Sequence, residues 1–433
     1  MIIVPVILIA LVAFVGVAII DIGSDDNNGL GQYYFSGEIT EALTDANGIT
    51  DEDYEVRWVT EKNVCGYAIV DEYAYVVYRA GSISKVDLKD GTIVATVMTE
   101  VPMVNDHPAV GGGMLLEPNT GRVFDLDLNE LYTIDSKSWQ AQYDNGCWYM
   151  VKRDKTCVCY DAEDQDPSVP NNVQTPKWTS KFTFFLDGYT LPISMAMNDK
   201  YIFYPGIGES DASARILYCV SKETGEQVDS YIMTDIRGTM WNSGFIYCEG
   251  NTIAVTTHWD SMFTKPRLGE YKTIFLIDVG SDGKFLTDTA TYMTNGYDDS
   301  YGSCLVMKDG LGYIQSGQCF NVIDLKTKKI IAQTERDGRL LKTYSNIAIT
   351  INGDRVCGYV SPAGVPEPLV YPVDGLIGFE YDKKTNDIRI FSLPVEKEGT
   401  NNTYSVKIGP NGEILFTKND AKLYCLTAKG TDQ

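Results

Sequence analysis

Residues Asn411–Gly430, NGEILFTKNDAKLYCLTAKG, read as turn, strand, polar turn, strand and turn. Glu413–Thr417 and Lys422–Leu426 are the strands, and Asn411-Gly412 and Asn419-Asp420 supply the turn chemistry. The same unit recurs up the chain. A chain of 433 residues has room for two or three ordinary domains. A recurring strand–turn–strand unit points instead to one large domain built of copies.

Aligning the polar residue that ends the third strand of each copy gives Asp87, Asp127, Asp161, Ser221, Asp278, Asp324, Asp382 and Thr427. The spacings run from 34 to 60 residues, a blade-type period. Most of these residues open a turn that closes on glycine, as in Asp87–Gly91 and Ser221–Gly225. The reason is local: a short side-chain oxygen accepts a backbone N–H two residues on, and glycine takes the positive φ. First strands are expected at Gly66–Val70, Ile193–Met197, Cys304–Met307, Ile347–Ile351 and Ser405–Ile408. Second strands are expected at Tyr73–Tyr78, Tyr149–Lys152, Tyr201–Tyr204, Ile253–Thr257 and Gly312–Gln315, and fourth strands at Ile93–Met98, Gln227–Met233, Lys329–Gln333 and Asp387–Leu393. No helical period of useful length appears after Tyr54. The expected fold is therefore all-β: an eight-bladed β-propeller of four-stranded antiparallel blades. Seven blades is the competing count, because blade two (Ala109–Leu131) is short.

The last copy lacks a fourth strand, while Tyr54–Thr60 (YEVRWVT) is a strand without a blade. Pairing the two closes the ring and removes an exposed edge.

Ahead of the repeats, Met1–Ile20 is an uninterrupted apolar run of about 30 Å as a helix, enough for a bilayer core. No Lys or Arg precedes it, which favours a retained transmembrane signal-anchor over a cleaved signal peptide. Gly16-Val17-Ala18 is the alternative cleavage point. The expected layout is residues 1–20 as anchor, 21–53 as an acidic polar linker, and 54–433 as propeller outside the cytoplasm at the cell membrane. Within the linker, Asp45–Asp53 (DANGITDED) has some oxygen ligands of a calcium loop but not the full register, so it reads as a solvated turn.

Charge narrows the partners. With 36 basic against 59 acidic residues the net charge is −23, which repels phosphate backbones and argues against nucleic acid. Ten cysteines occur without a C-x-x-C pair, so zinc-ribbon, thioredoxin-like and c-type haem motifs are absent. Cys157-Val158-Cys159 puts two thiols on one face of a strand. Most of the cysteines sit in apolar strand patterns and read as buried free thiols, with a disulfide or two open to an extracellular domain. Tyr204–Gly208 (YPGIG) and Gly111-Gly112-Gly113 read as turns, since neither precedes a helix that would complete a phosphate cradle. No G-x-S-x-G elbow is present, and Asn401-Asn402-Thr403 is a single glycosylation sequon.

The motifs Ile83–Asp87 with Gly91, Arg122–Asp127, Leu217–Ser221 with Gly225, Phe320–Asp324, and Leu423–Thr427 with Gly430 resemble the PQQ-like, quinoprotein-type β-propeller repeat, over about Tyr54 to Gly430. In that family eight blades each carry a strand, x-x-φ-x-φ-D-x-x-x-G, strand signature. Its dehydrogenases hold their cofactor with a vicinal Cys-Cys disulfide, a stacking tryptophan and calcium-bound carboxylates. This chain has no Cys-Cys, and the tryptophan that docks blade on blade is not regular. The resemblance thus implies a non-catalytic, membrane-anchored member without a cofactor, a scaffold or binding module. WD40 repeats fit less well, because the one Trp-Asp, Trp259-Asp260, falls in a loop.

In such a ring the second-to-third and fourth-to-next-first connections open on one face. Pro205–Arg215, His258–Tyr271 and Ser361–Gly375 are long, and long loops carry function. The expected ligand-binding residues there are Asp106, His107, Arg237, Trp241, His258, Trp259, Asp298 and Asp299. Their aromatic, acidic and basic groups suit a protein or glycan partner, with the membrane met through the N-terminal helix. The rival reading is an enzyme on the same scaffold, quinoprotein-like or acting on carbohydrate. No catalytic residue is assigned, and any metal is left unassigned.

Overall fold

The computed structural model describes residues 38–41, 54–99, 108–134, 138–152, 156–163, 173–181, 195–207, 215–233, 245–256, 274–293, 303–316, 319–335, 344–363, 376–393, 403–418 and 421–429. Every regular element among them is a strand. Two precede the first blade: β1 (Glu38–Glu41) and β2 (Tyr54–Val59). Blade 1 is β3 (Val64–Val70), β4 (Tyr73–Tyr78), β5 (Ser82–Asp87) and β6 (Ile93–Met98). Blade 2 is β7 (Ala109–Gly111), β8 (Met114–Glu117), β9 (Arg122–Asp125) and β10 (Glu130–Ile134). Blade 3 is β11 (Ser138–Asp144), β12 (Cys147–Lys152), β13 (Thr156–Asp161) and, after a short β14 (Val173–Gln174), β15 (Trp178–Lys181). Blade 4 is β16 (Ala196–Met197), β17 (Tyr201–Ile207), β18 (Arg215–Ser221) and β19 (Gln227–Ile232). Blade 5 is β20 (Phe245–Glu249), β21 (Thr252–Thr256), β22 (Ile274–Val279) and β23 (Phe285–Met293). Blade 6 is β24 (Ser303–Lys308), β25 (Leu311–Ser316), β26 (Cys319–Asp324) and β27 (Lys329–Gln333). Blade 7 is β28 (Tyr344–Asn352), β29 (Arg355–Ala363), β30 (Leu376–Asp382) and β31 (Asp387–Leu393). Blade 8 is β32 (Thr403–Ile408), β33 (Ile414–Lys418) and β34 (Leu423–Ala428), with β2 as its fourth strand.

The count of eight follows from packing. Period-two alternation gives each blade two apolar faces, and each face must be buried against a neighbour. The core accordingly falls into eight clusters, one per blade junction. Cys65, Tyr75 and Ile83 meet Leu115 and Phe124 between blades 1 and 2. At the last junction Trp58, Val64 and Tyr67 meet Leu415, Leu423 and Cys425, so blades 8 and 1 touch and the ring is closed.

Closure runs through β2 as the leftover strands require. β2 pairs antiparallel with β34, Tyr54 opposite Ala428 and Val59 opposite Tyr424. The Thr60 and Leu423 backbones extend the ladder at 3.0 Å, and Thr60 Oγ1 accepts the Leu423 N–H at 3.0 Å.

The turns after the third strands have the expected local cause. Asp87 Oδ1 accepts the Lys89 N–H at 2.8 Å, Asp161 Oδ1 that of Glu163 at 3.1 Å, and Asp382 Oδ1 that of Lys384 at 2.7 Å. In blade 2 the residue is Asp125 and not Asp127: β9 ends at Asp125, whose Oδ1 accepts the N–H of both Asp127 and Asn129. Register decides between the two aspartates, because Phe124 must stand opposite Leu115 for its ring to reach the core.

A second device locks the turns of blades 1 to 5 to the blade before them. The Trp58 indole N–H donates to the Leu88 carbonyl at 2.9 Å, Tyr75 O–H to Leu126 at 2.8 Å, Tyr132 O–H to Ala162 at 3.1 Å, and Trp178 N–H to Lys222 at 2.9 Å. In each case the acceptor is the residue directly after the third strand of the next blade. Tyr201 O–H makes a related bond to Ser281 at 3.0 Å. Gly91 and Gly225, both at positive φ, give the two indoles room: a Cβ there would lie 2.7 Å from Trp58 and 2.4 Å from Trp178. The docking tryptophan that is irregular in the sequence is thus one version of a clasp that tyrosine also makes.

Two of the segments differ from expectation and one agrees. Tyr204–Ile207 is not a turn but part of β17, with Pro205 opposite Leu217. Gly112-Gly113, both at positive φ, is the hairpin turn expected. Inside residues 21–53, Glu38–Glu41 forms β1, which pairs in parallel with β28. The apolar run 1–20 and the acidic loop 45–53 lie outside the described residues.

Candidate functional site

Strand direction divides the molecule into two faces. First and third strands run one way, second and fourth the other. First-to-second and third-to-fourth connections therefore share one face, here the turn face. Those of two to five residues dominate it, the exception being residues 162–177 in blade 3. Second-to-third and fourth-to-first connections share the other, the loop face, where they reach residues 182–195, 233–244, 257–273 and 364–375. Two of the long second-to-third connections are shorter than expected, 208–214 and 364–375, because β17, β18 and β29 extend into them.

All eight expected ligand residues lie outside the described residues. The strands that carry them are described, and they sort the eight. Arg237 and Trp241 fall between β19 and β20, His258 and Trp259 between β21 and β22, and Asp298 and Asp299 between β23 and β24. Those three connections enter, cross and leave the loop end of blade 5. Asp106 and His107 fall between β6 and β7, at the junction of blades 1 and 2, almost across an eight-membered ring from blade 5.

The loop end of blades 4 and 5 has an aromatic ladder that sequence reasoning missed. Tyr231, near the end of β19, stacks on Phe275 of β22 with centroids 5.4 Å apart and planes 19° apart. Phe275 meets Tyr292 of β23 at 4.8 Å. Phe275 is fully buried, while Tyr231 and Tyr292 are partly buried against the same core. On the opposite face of β19, Ile232 is 56% exposed, a large apolar side chain at the surface. Period-two alternation placed these residues on strands. Only the register, Phe275 opposite Tyr292, shows that they form one ladder.

Elsewhere the reactive side chains are held inert. Burial pushes the thiols of Cys157, Cys159, Cys219 and Cys248 up to about 12 and that of Cys319 to about 11. Such thiols stay protonated at neutral pH and are poor nucleophiles. Cys157 and Cys159 share the face toward blade 4, as alternation requires. Among the described residues, nine cysteines carry no disulfide. Among the described residues no three His, Cys, Asp or Glu side chains converge as a metal site, and no helix is long and apolar enough to cross a membrane.

No protein-family model matches the chain, and no curated protein matches it. Solved structures do. BamB from Moraxella catarrhalis matches with a TM-score of 0.53 at 9% identity, covering 86% of this chain and 99% of BamB. The computationally designed Ika8 protein matches at 0.53 and 10% identity, over 90% of this chain and 99% of that one. The C-terminal WD40 domain of Sif2 matches at 0.56 and 11% identity, over 88% and 100%. At these identities the likeness is one of fold: a complete β-propeller.

Proposed function

We propose that the chain is a membrane-anchored binding platform whose loop face, at the end of blade 5, holds a protein partner outside the cytoplasm. The observation that carries this reading is the Tyr231–Phe275–Tyr292 ladder at the foot of three successive connections. Partly exposed aromatic side chains of this kind anchor protein interfaces, since they desolvate a large area at low entropic cost. A rigid ring of clasped blades supplies the frame on which such loops work. On this reading Arg237, Trp241, His258, Trp259, Asp298 and Asp299, carried by those three connections, are the residues offered to the partner. Met1–Ile20 supplies the anchor and the acidic surface the exclusion of nucleic acid.

The test has two parts. The native chain is fractionated, and its N-terminus is read by mass spectrometry. Retention on membranes with Met1 present supports the anchor, and a mature chain beginning near Ile19 overturns it. Partners are then crosslinked in native membranes to wild type, to Tyr231→Ala with Tyr292→Ala, to Trp241→Ala with Trp259→Ala, and to Lys89→Ala on the turn face. A protein captured by wild type and Lys89→Ala but lost from both aromatic pairs is the expected result. Loss with Lys89→Ala alone overturns the placement. Capture of glycan alone moves the reading to a lectin.

A further inference from the structure

The strand β1 lies inside the ring. In blade 7 the sheet order is β1, β28, β29, β30, β31, so β1 adds to the inner edge of the innermost strand. Its register is continuous, Glu38 opposite Ala348, Ile39 opposite Ile349, Thr40 opposite Thr350 and Glu41 opposite Ile351. It also approaches β24 and β32, the innermost strands of blades 6 and 8. An edge strand of a propeller's inner layer offers unpaired backbone groups to the central channel, and β1 satisfies one such row.

Direction follows from the pairing. β1 is parallel to β28, and β28, as a first strand, runs from the loop face to the turn face. Glu41 therefore points to the turn face and Glu38 to the loop face. The start of β2 gives an independent check. β2 is antiparallel to β34, which runs toward the turn face, so Tyr54 starts on the turn face. The end of β1 and the start of β2 lie on one face. Residues 42–53 can span roughly 40 Å at ~3.3 Å each, ample for crossing a blade four strands wide, ~19 Å at 4.8 Å per strand.

We infer that the chain enters the propeller along its axis from the loop face, and that the loop face is consequently the side turned toward the membrane. This rests on the anchored reading of Met1–Ile20. A generic coil of the same length as the 17-residue stretch 21–37 has an end-to-end distance of about 23 Å. That reaches the mouth of the channel on the loop face directly. Presenting the turn face instead would require the same segment to run out to the rim and down a blade edge. That path is about 25 Å across and 20 Å down, twice the coil's mean span. The partner held at blade 5 is then one that sits in the same membrane.

The orientation can be read by energy transfer. The full chain is reconstituted into phosphatidylcholine vesicles that carry an acceptor dye on the lipid headgroup. A donor dye is placed by maleimide at Ala80→Cys, on the loop face between β4 and β5, or at Lys89→Cys, on the turn face of the same blade. Both positions are exposed, and the unsubstituted chain reports any labelling of native thiols. The expected result is a larger loss of donor fluorescence at position 80 than at position 89. Ile39→Pro and Thr40→Pro, which remove strand donors from β1, should narrow the difference while leaving the propeller's melting temperature near wild type. A larger loss at position 89, or equal losses in wild type, overturns the orientation while leaving the anchor standing. A full chain that does not float with the vesicles overturns both.

Discussion

The Trp58 clasp permits a quantitative test of how the ring is held shut. Trp58 is 9% exposed, its indole N–H reaches the Leu88 carbonyl at 2.9 Å, and Gly91 leaves the space its ring fills. Trp58→Ala removes about 200 Å² of buried apolar surface, worth about 5 kcal/mol as an upper bound at 25 cal/mol per Å². Large-to-small core changes of this type cost about 3–5 kcal/mol. Trp58→Phe keeps most of the area but leaves the Leu88 carbonyl only the weak Cys425 thiol donor at 4.0 Å, at about 1–3 kcal/mol. Gly91→Ala meets two penalties. Its φ of +77° costs about 1–2 kcal/mol for a residue with a Cβ. Its Cβ would also stand 2.7 Å from Trp58 Cγ, which no small shift of a fixed indole relieves. In the Trp58→Ala background only the φ penalty remains. Urea denaturation of the four proteins of this double-mutant cycle should therefore show strong coupling, with Gly91→Ala far cheaper when Trp58 is absent. Additive costs within about 0.5 kcal/mol would refute the claim that glycine is there to admit the ring.

Two further outcomes follow from the structure. A chain starting at Glu61 should melt far below one starting at Asp51, because the first loses β2 and opens the junction of blades 8 and 1, whereas the second loses only β1 from the channel. Equal melting temperatures would mean that β2 does not close the ring. Stability should also fall steeply above pH 9. Cys157, Cys159, Cys219 and Cys248 titrate near 12 and Cys319 near 11 when folded, against an ordinary value of 9.0. Their folded values are raised, so the stabilisation is complete below pH 9 and is lost as pH rises from there toward the folded values. Each thiol removes about 1.4 kcal/mol per pH unit in that window. Five together exhaust a typical domain stability of about 5–15 kcal/mol within one to three units. Unfolding monitored by circular dichroism from pH 8 to 11 checks this, and a flat profile, or alkylation of these thiols in the native protein at pH 8, contradicts it.

Strands were legible because their cause is local. Ile93–Met98, Lys329–Gln333, Tyr73–Tyr78 and Asp387–Leu393 fall on their expected bounds, since alternation and Asx turns delimit them. Errors arose where the decision is tertiary. Arg122–Asp127 contains two aspartates equally fit to cap a turn, and the buried Phe124 chooses between them. The choice leaves Leu128 at φ 65°, a conformation no rule for leucine anticipates. Glu38–Glu41 has no strand signal of its own: four residues, EITE, take their conformation from the edge of β28. Of the candidate site, only the topology of its connections can be compared with the sequence reading. Loop lengths put the long connections on one face, but the grouping at blade 5 depends on the order of blades, and the ladder depends on register.

The clasps explain why the repeat is so faint in sequence while the ring is so regular. Each clasp ends on a backbone carbonyl, a group every residue has. Its other end needs only an aromatic ring with one N–H or O–H donor. That donor comes from a fourth strand at Trp58, Tyr132 and Trp178, and from a second strand at Tyr75 and Tyr201. Tryptophan is free to become tyrosine, and the donor to change strands, without moving the acceptor. A chain with 28 tyrosines and six tryptophans uses that freedom. All five acceptors lie on the turn face, so the rigidity of the ring is concentrated there. Connections on the loop face are released from structural duty and can vary in length and chemistry at little cost to the frame. The face where the chain can best afford new side chains is also the face toward which β1 leads the N-terminal segment.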